Sequence, residues 1–316
     1  MKKFFTQFFV AILTFTAFAA VAAEPEQFIP ADAPAIFRLD CKRALERLTI
    51  ALQDSKSERA AEFKAACIEL KNKFNIELKD CFSGQAFLAV LPTADGIVQL
   101  FVKTNLPEKS FAEVFNAAIA QGNKNWQIIQ QNGRTIYVTS GRNDAEKFAI
   151  MYLTGDVIMV TRLADCTAVK PAEKRNALLD KINKTSLFAL GIDVSKLPGN
   201  KKFSGVQQFN IDADLLGAVN SESIKLHADL QCSNLQTAQQ LEGMFQFILP
   251  AFVSAIFSND PDLALQLATA IKVKRNDMQL NVDCLFDEAM LKKAGEYLNN
   301  PANGEIIERV FKGLKR

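Results

Sequence analysis

The stretches VQQFNIDADL (residues 206–215), SIKLHADLQC (223–232) and MQLNVDCLF (278–286) alternate apolar and polar residues. A period of two is that of a β-strand, whose successive side chains point to opposite faces. Phe209, Ile211, Ala213 and Leu215 share one face, and Gln208, Asn210, Asp212 and Asp214 the other. The next stretch sets Ile224, Leu226, Ala228, Leu230 and Cys232 against Lys225, His227, Asp229 and Gln231. The third puts Met278, Leu280, Val282, Cys284 and Phe286 on its apolar side, with Asn281 and Asp283 opposite. The pattern predicts a mainly antiparallel sheet with one dry and one wet face.

These strands belong to a unit that reads as occurring twice: two strands, a helix, two more strands. The second copy also takes in a helical stretch from Asn234 and a strand over 271–275. The first copy has strands over 85–91 and 97–104, a helix over 107–121, and strands over 126–131 and 134–139. Related phrases, AIFRLD ending at Asp40 and LFALGID ending at Asp193, introduce the two copies. The expected fold is α+β: two similar lobes, each a mainly antiparallel sheet with helices packed on one face. The expected boundaries are a leader over 1–23, an N-terminal lobe over 24–184 and a C-terminal lobe over 185–316.

The first copy reads as scaffold, because both faces of its 85–91 strand are apolar. Its helix carries Phe111, Val114, Phe115, Ala118 and Ile119 as a one-sided stripe. Asn132-Gly133 predicts a tight hairpin turn. A further hairpin is expected over 148–161, turning at Gly155-Asp156, followed by a helical phrase running from Pro171 to Ile182. Helices over 44–52 and 57–74 precede the first copy, and helices over 288–298 and 305–314 follow the second. Asp40 and Asp193 end matching strands, and capping of the next segment explains both.

The ends and composition restrict location and chemistry. Lys2 and Lys3, an apolar run from Phe4 to Phe18 and the small residues Ala20 to Ala23 form a signal peptide, cleaved after Ala22 or Ala23. The mature chain is then expected to be exported, periplasmic or secreted, with no transmembrane span remaining. Without the two leader lysines, 35 basic residues face 35 acidic ones. A neutral chain lacking a basic tract interleaved with aromatics is not expected to bind nucleic acid.

No phosphate loop, dinucleotide fingerprint or nucleophile elbow occurs, so no catalytic residue and no cofactor is assigned. The six cysteines include no Cys-x-x-Cys pair. Cys232 and Cys284 share the dry face, and a disulfide between them is geometrically allowed if their strands are neighbours, with two free thiols as the alternative.

Two constellations stand out. His227 is the only histidine, and its wet face carries Asp229, Asp212, Asp214 and Asp283. Alternating carboxylates around an imidazole suit a divalent cation or acid–base chemistry, as in a metal-dependent hydrolase. A solvated sheet face produces the same alternation. The second constellation is MFQFILPAFVSAIF (244–257), which Pro250 is expected to bend or interrupt. Phe245, Phe247, Phe252 and Phe257 spread around this helix. All-round apolarity predicts a buried core helix, and a pocket for a hydrophobic ligand or a contact surface are the other readings. Because the copies diverge here, the second copy is where a site is expected.

The opening FIPADAP (28–34), the FSGQ phrase at 82–85 and the Gly155-Asp156 hairpin resemble exported bacterial proteins of unknown function that open with a Pro-Ala-Asp-Ala phrase. The resemblance implies export and a duplicated α+β architecture, and brings no catalytic residues with it. The leading expectation is a non-enzymatic binding or structural module of the cell envelope, its partner a protein or a hydrophobic ligand. The alternatives are a carrier using the 244–257 helix and a hydrolase using the His227 face.

Overall fold

The computed structural model describes residues 24–304 except 54–57, 78–81, 93–96, 121–125, 132, 140–146, 154–155, 167–168, 170, 198–204 and 218–222. The leader, Cys81, Asn132, Gly155 and the helix expected over 305–314 lie outside the described residues. The chain divides into two compact units, Met1–Lys181 and Ile182–Arg316.

The first unit holds β1 (Ala35–Asp40), α1 (Cys41–Gln53), α2 (Glu58–Phe74), β2 (Gln85–Val90), β3 (Val98–Lys103) and α3 (Glu108–Ala120). Then come β4 (Trp126–Gln131), β5 (Arg134–Thr139), β6 (Phe148–Tyr152) and β7 (Val157–Arg162). Its strands hydrogen-bond in the order β1-β2-β3-β7-β6-β5-β4, each pair antiparallel. Asp40 ends β1 and caps α1, accepting the Arg43 amide at 3.0 Å. One face of the strands carries Ala86, Tyr137, Ile150, Tyr152 and Ile158, and all three helices pack there. α3 buries Phe111, Val114 and Phe115 against it, worth about 1.5–3 kcal/mol per side chain. Phe115 stacks on Tyr137 at 4.4 Å and meets Trp126 edge-on at 5.2 Å.

The opposite face of these strands is also covered, but by irregular chain. Phe28 stacks over Phe101 of β3 at 6.2 Å. Asn176 ties this lead to the later connection, donating to the carbonyls of Pro30 and Ala33 at 2.9 and 3.0 Å. The helical phrase expected over 171–182 reduces to a 3-10 turn, Ala177–Asp180. Asn176 uses its side-chain oxygen to cap that turn and its nitrogen to bind the lead, which fixes a local turn instead of a longer helix.

The second unit holds β8 (Phe188–Asp193), β9 (Val206–Leu216), β10 (Ser223–Cys232), α4 (Leu235–Ile256), α5 (Pro261–Thr269), β11 (Ile271–Asn276), β12 (Gln279–Phe286) and α6 (Glu288–Asn299). Its strand order is β8-β9-β10-β12-β11, again antiparallel throughout. Asn234, Asp260 and Asp287 cap α4, α5 and α6 through the amides of Thr237, Leu263 and Met290. Asp193 caps a short turn after β8 by accepting the Ser195 amide at 3.1 Å.

The order β1-β2-β3-β7-β6 of the first unit matches β8-β9-β10-β12-β11 of the second, strand for strand. In the second unit β10 pairs directly with β12. In the first, the β6–β7 hairpin lies between β3 and β5. The counterpart of the β11–β12 hairpin is therefore β6–β7 and not the expected β4–β5, which is an addition at the edge of the first unit. The plain description is α+β with antiparallel strands and, among the described residues, six α-helices.

Candidate functional site

Register builds the polar row around His227. Opposite it stand Asp212 on β9 and Asp283 on β12, and Asp283 in turn faces Lys272 on β11. His227 Nδ1 lies 2.8 Å from an Asp283 carboxylate oxygen, and Nε2 lies 3.1 Å from Asp229, two residues along its own strand. With a carboxylate on each nitrogen, the doubly protonated imidazolium is the form both contacts favour. Burial, the largest single influence on this ring, pulls its pKa down. The hydrogen bonds and charges of Asp283 and Asp229 together outweigh it, so the pKa is raised above the ordinary 6.5.

The row does not gather all the acidic residues named from the sequence. Asp212 faces His227 across the pair but accepts a hydrogen bond from Asn183 at 3.1 Å. Asp214 sits opposite Lys225, two residues further along, and accepts its neighbour Leu215's amide. Gln279 donates to Asp229 at 3.2 Å. Among the described residues no group of three His, Cys, Asp or Glu side chains is arranged to hold a metal ion. The geometry is that of an interstrand ion-pair ladder, in which His227 has neither nitrogen free to act as a base.

Cys232 and Cys284 are both free thiols. They share a sheet face, as alternation required, but not a position along it. Cys284 pairs with Leu226, while the Cys232 amide bonds to the Met278 carbonyl, six residues back along the partner strand. At about 3.4 Å per residue the offset is roughly 20 Å, against about 4.4–6.8 Å between the α-carbons of a disulfide. The expected bridge is therefore corrected to two separate thiols.

The 244–257 stretch differs most from the sequence expectation. It belongs to one continuous helix, α4, with Pro250 inside it and no interruption. Gln246, whose carbonyl loses its intrahelical donor to the proline, is an exposed residue, so water can serve that oxygen. α4 packs across β11, β12 and β10. Its link to β11 includes an ion pair between Glu242 and Arg275 at 2.8 Å. Yet Ala238 is its only buried residue among those described. Phe247 is 78% exposed and Ile248 53%, with Met244 also exposed.

The four phenylalanines do not converge. Phe257, 7% exposed and just past the helix end, joins Leu263, Leu267 and Tyr297 in a small core with α5 and α6. Phe245 and Phe252 are half-buried, and Phe247 points out.

One feature escaped the sequence reading. In the first unit a cleft of about 590 Å³ opens between β3, the chain around Phe28 to Ala31, and Ala164, Asp165, Val169, Ala172, Glu173 and Lys174. Gln99 lines it, 6% exposed. The available signal was a single Gln in a strand, VQLFVK, that is otherwise apolar on both faces apart from its terminal Lys103. The cleft lies in the copy expected to be scaffold.

No family model and no curated protein matches the chain. Among solved structures it is similar to TP0453 of Treponema pallidum. Crystal form III of that protein aligns with a TM-score of 0.48 and 13% identity, covering 87% of this chain and 98% of that one. Crystal form I gives 0.45 and 12%, covering 86% and 96%. No residue role is carried across at these values.

Proposed function

We propose that this chain is an exported, non-enzymatic binding module of the bacterial cell envelope that takes a neutral apolar partner on the outer face of α4. The exposure of α4 carries this reading. A solvent-facing helix ordinarily turns charged residues outward, but over its 22 residues α4 has one charged side chain, Glu242, and Arg275 already engages it. Met244, Phe247 and Ile248 stand together on the exposed part at i, i+3 and i+4. A patch of this kind is a contact surface more often than an accident, and its lack of charge fits a partner without charge. The leader supports export. No helix among the described residues is long and apolar enough to cross a membrane.

An enclosed carrier would bury the residues lining its ligand, so the exposure of Phe247 fits an open surface better than a closed cavity. The His227 face supports a hydrolase poorly, because its imidazole is committed to two carboxylates.

Native mass spectrometry of the purified protein with monolaurin, a neutral acyl ester, tests the reading. The wild-type chain should retain the acyl ligand, and the Phe247→Ser, Ile248→Ser double variant should lose it. A wild-type chain that stays strictly ligand-free, or a double variant that binds equally well, sinks the proposal.

A further inference from the structure

We infer that the cleft over β3 is a second binding site, for a small, neutral, largely apolar molecule carrying one amide-like group that Gln99 recognises. The cleft's volume lies in the range of small-molecule sites, about 300–1,000 Å³, where a few polar groups among apolar walls fix orientation. Its walls here are Phe28, Pro30, Leu91, Val169 and Ala172.

Gln99 is the polar group on the floor. It lies on the same strand face as Phe101, across from Ala89 on β2. It is more than nine-tenths buried, and among the described residues no hydrogen bond to its side-chain amide occurs. Neither amide atom is among the buried side-chain atoms left without a partner, so the carboxamide is open to the cleft and a molecule there can take the place of water on it. The carboxamide offers two donors and an acceptor, so its complement is a group that both accepts and donates, as an amide does.

Charge narrows the class further. The floor has no ionised group. Asp165 at the rim is held by Arg162 at 2.9 Å, and Glu173 and Lys174, both exposed, offset each other. An ionic ligand would lose its hydration here without gaining a counter-charge. This site is separate from α4 and does not depend on the reading of that helix.

The test is side-chain amide NMR on the full chain, titrated with N-benzylacetamide and with butylbenzene, an apolar molecule of similar size. The Gln99 NH2 resonances should shift saturably with the amide. Its affinity should exceed that of butylbenzene by about threefold to tenfold, the worth of a typical net hydrogen bond. Gln99→Leu should remove this preference, and Ala172→Trp should abolish binding of both probes. The wild-type titration decides the matter even if a variant fails to fold. Gln99 resonances unmoved at the solubility limit, shifts confined to α4, or an amide preference that survives Gln99→Leu would each overturn the inference.

Discussion

His227 shows how a single side chain couples this sheet to pH. Its folded pKa is raised, so the folded state holds the proton more tightly than the unfolded chain does. That contribution to stability is fully present below the unfolded value near 6.5 and is lost as pH rises through the higher folded value. Because there is only one histidine, its NMR titration is unambiguous and should give a midpoint above 6.5. Denaturant midpoints of the wild type should fall across the same window, and His227→Gln should flatten that fall. A midpoint below 6.5 would show that desolvation wins and that the carboxylates are not where the row places them.

Gly205 is a second such residue. Its φ of +106° is one that side chains rarely adopt, and an added β-carbon would sit 2.6 Å from Thr237 Cγ2 and 2.9 Å from Oγ1. Gly205→Ala should therefore destabilise the protein by about 2–3 kcal/mol, combining backbone strain and overpacking. Adding Thr237→Ala should recover only part of this, since it relieves the clash and leaves the backbone strained. Thermal melts of the wild type and the two variants check the ordering.

At the scale of elements, the chain around α4 carries opposite roles a few residues apart. Phe257 packs on Tyr297 with ring centroids 4.9 Å apart, inside the small core of the second unit. Phe257→Ala should cost about 3–5 kcal/mol, as expected of a buried aromatic. Phe247→Ser removes a side chain that touches little and should change stability by no more than about 0.5 kcal/mol. Chemical denaturation of the two variants should separate them cleanly, and a large loss at Phe247 would mean the residue is packed after all.

α4 also marks where the sequence stopped being legible. Its existence, its start at Asn234 and its apolar character were readable, because they depend on local pattern. Its exposure was not. An all-round apolar helix reads as buried, and whether its outer face is covered depends on what the rest of the chain supplies.

Across the whole molecule the same division holds. The polar row of β9, β10 and β12 follows from period-two alternation, which put His227 and Asp283 on one face before any pairing was known. Pairing itself is set by contacts distant in sequence. Nothing local in the β6–β7 segment says that it inserts between β3 and β5, and nothing in Cys232 or Cys284 reveals their offset along neighbouring strands. The cleft at Gln99 was hidden for a related reason. It exists only once Phe28, Pro30 and Ala31 and the distant Ala164, Asp165, Val169 and Ala172 are brought together with β3.

Paramagnetic relaxation locates the contact on α4 directly. A neutral twelve-carbon chain carrying a nitroxide should, at low concentration, broaden the backbone resonances of Phe247, Ile248 and Ala251 first and most strongly. Broadening that is absent, or that centres on other exposed apolar residues such as Ile128, Phe148 or Leu265, would contradict the claim that α4 is the surface this protein uses.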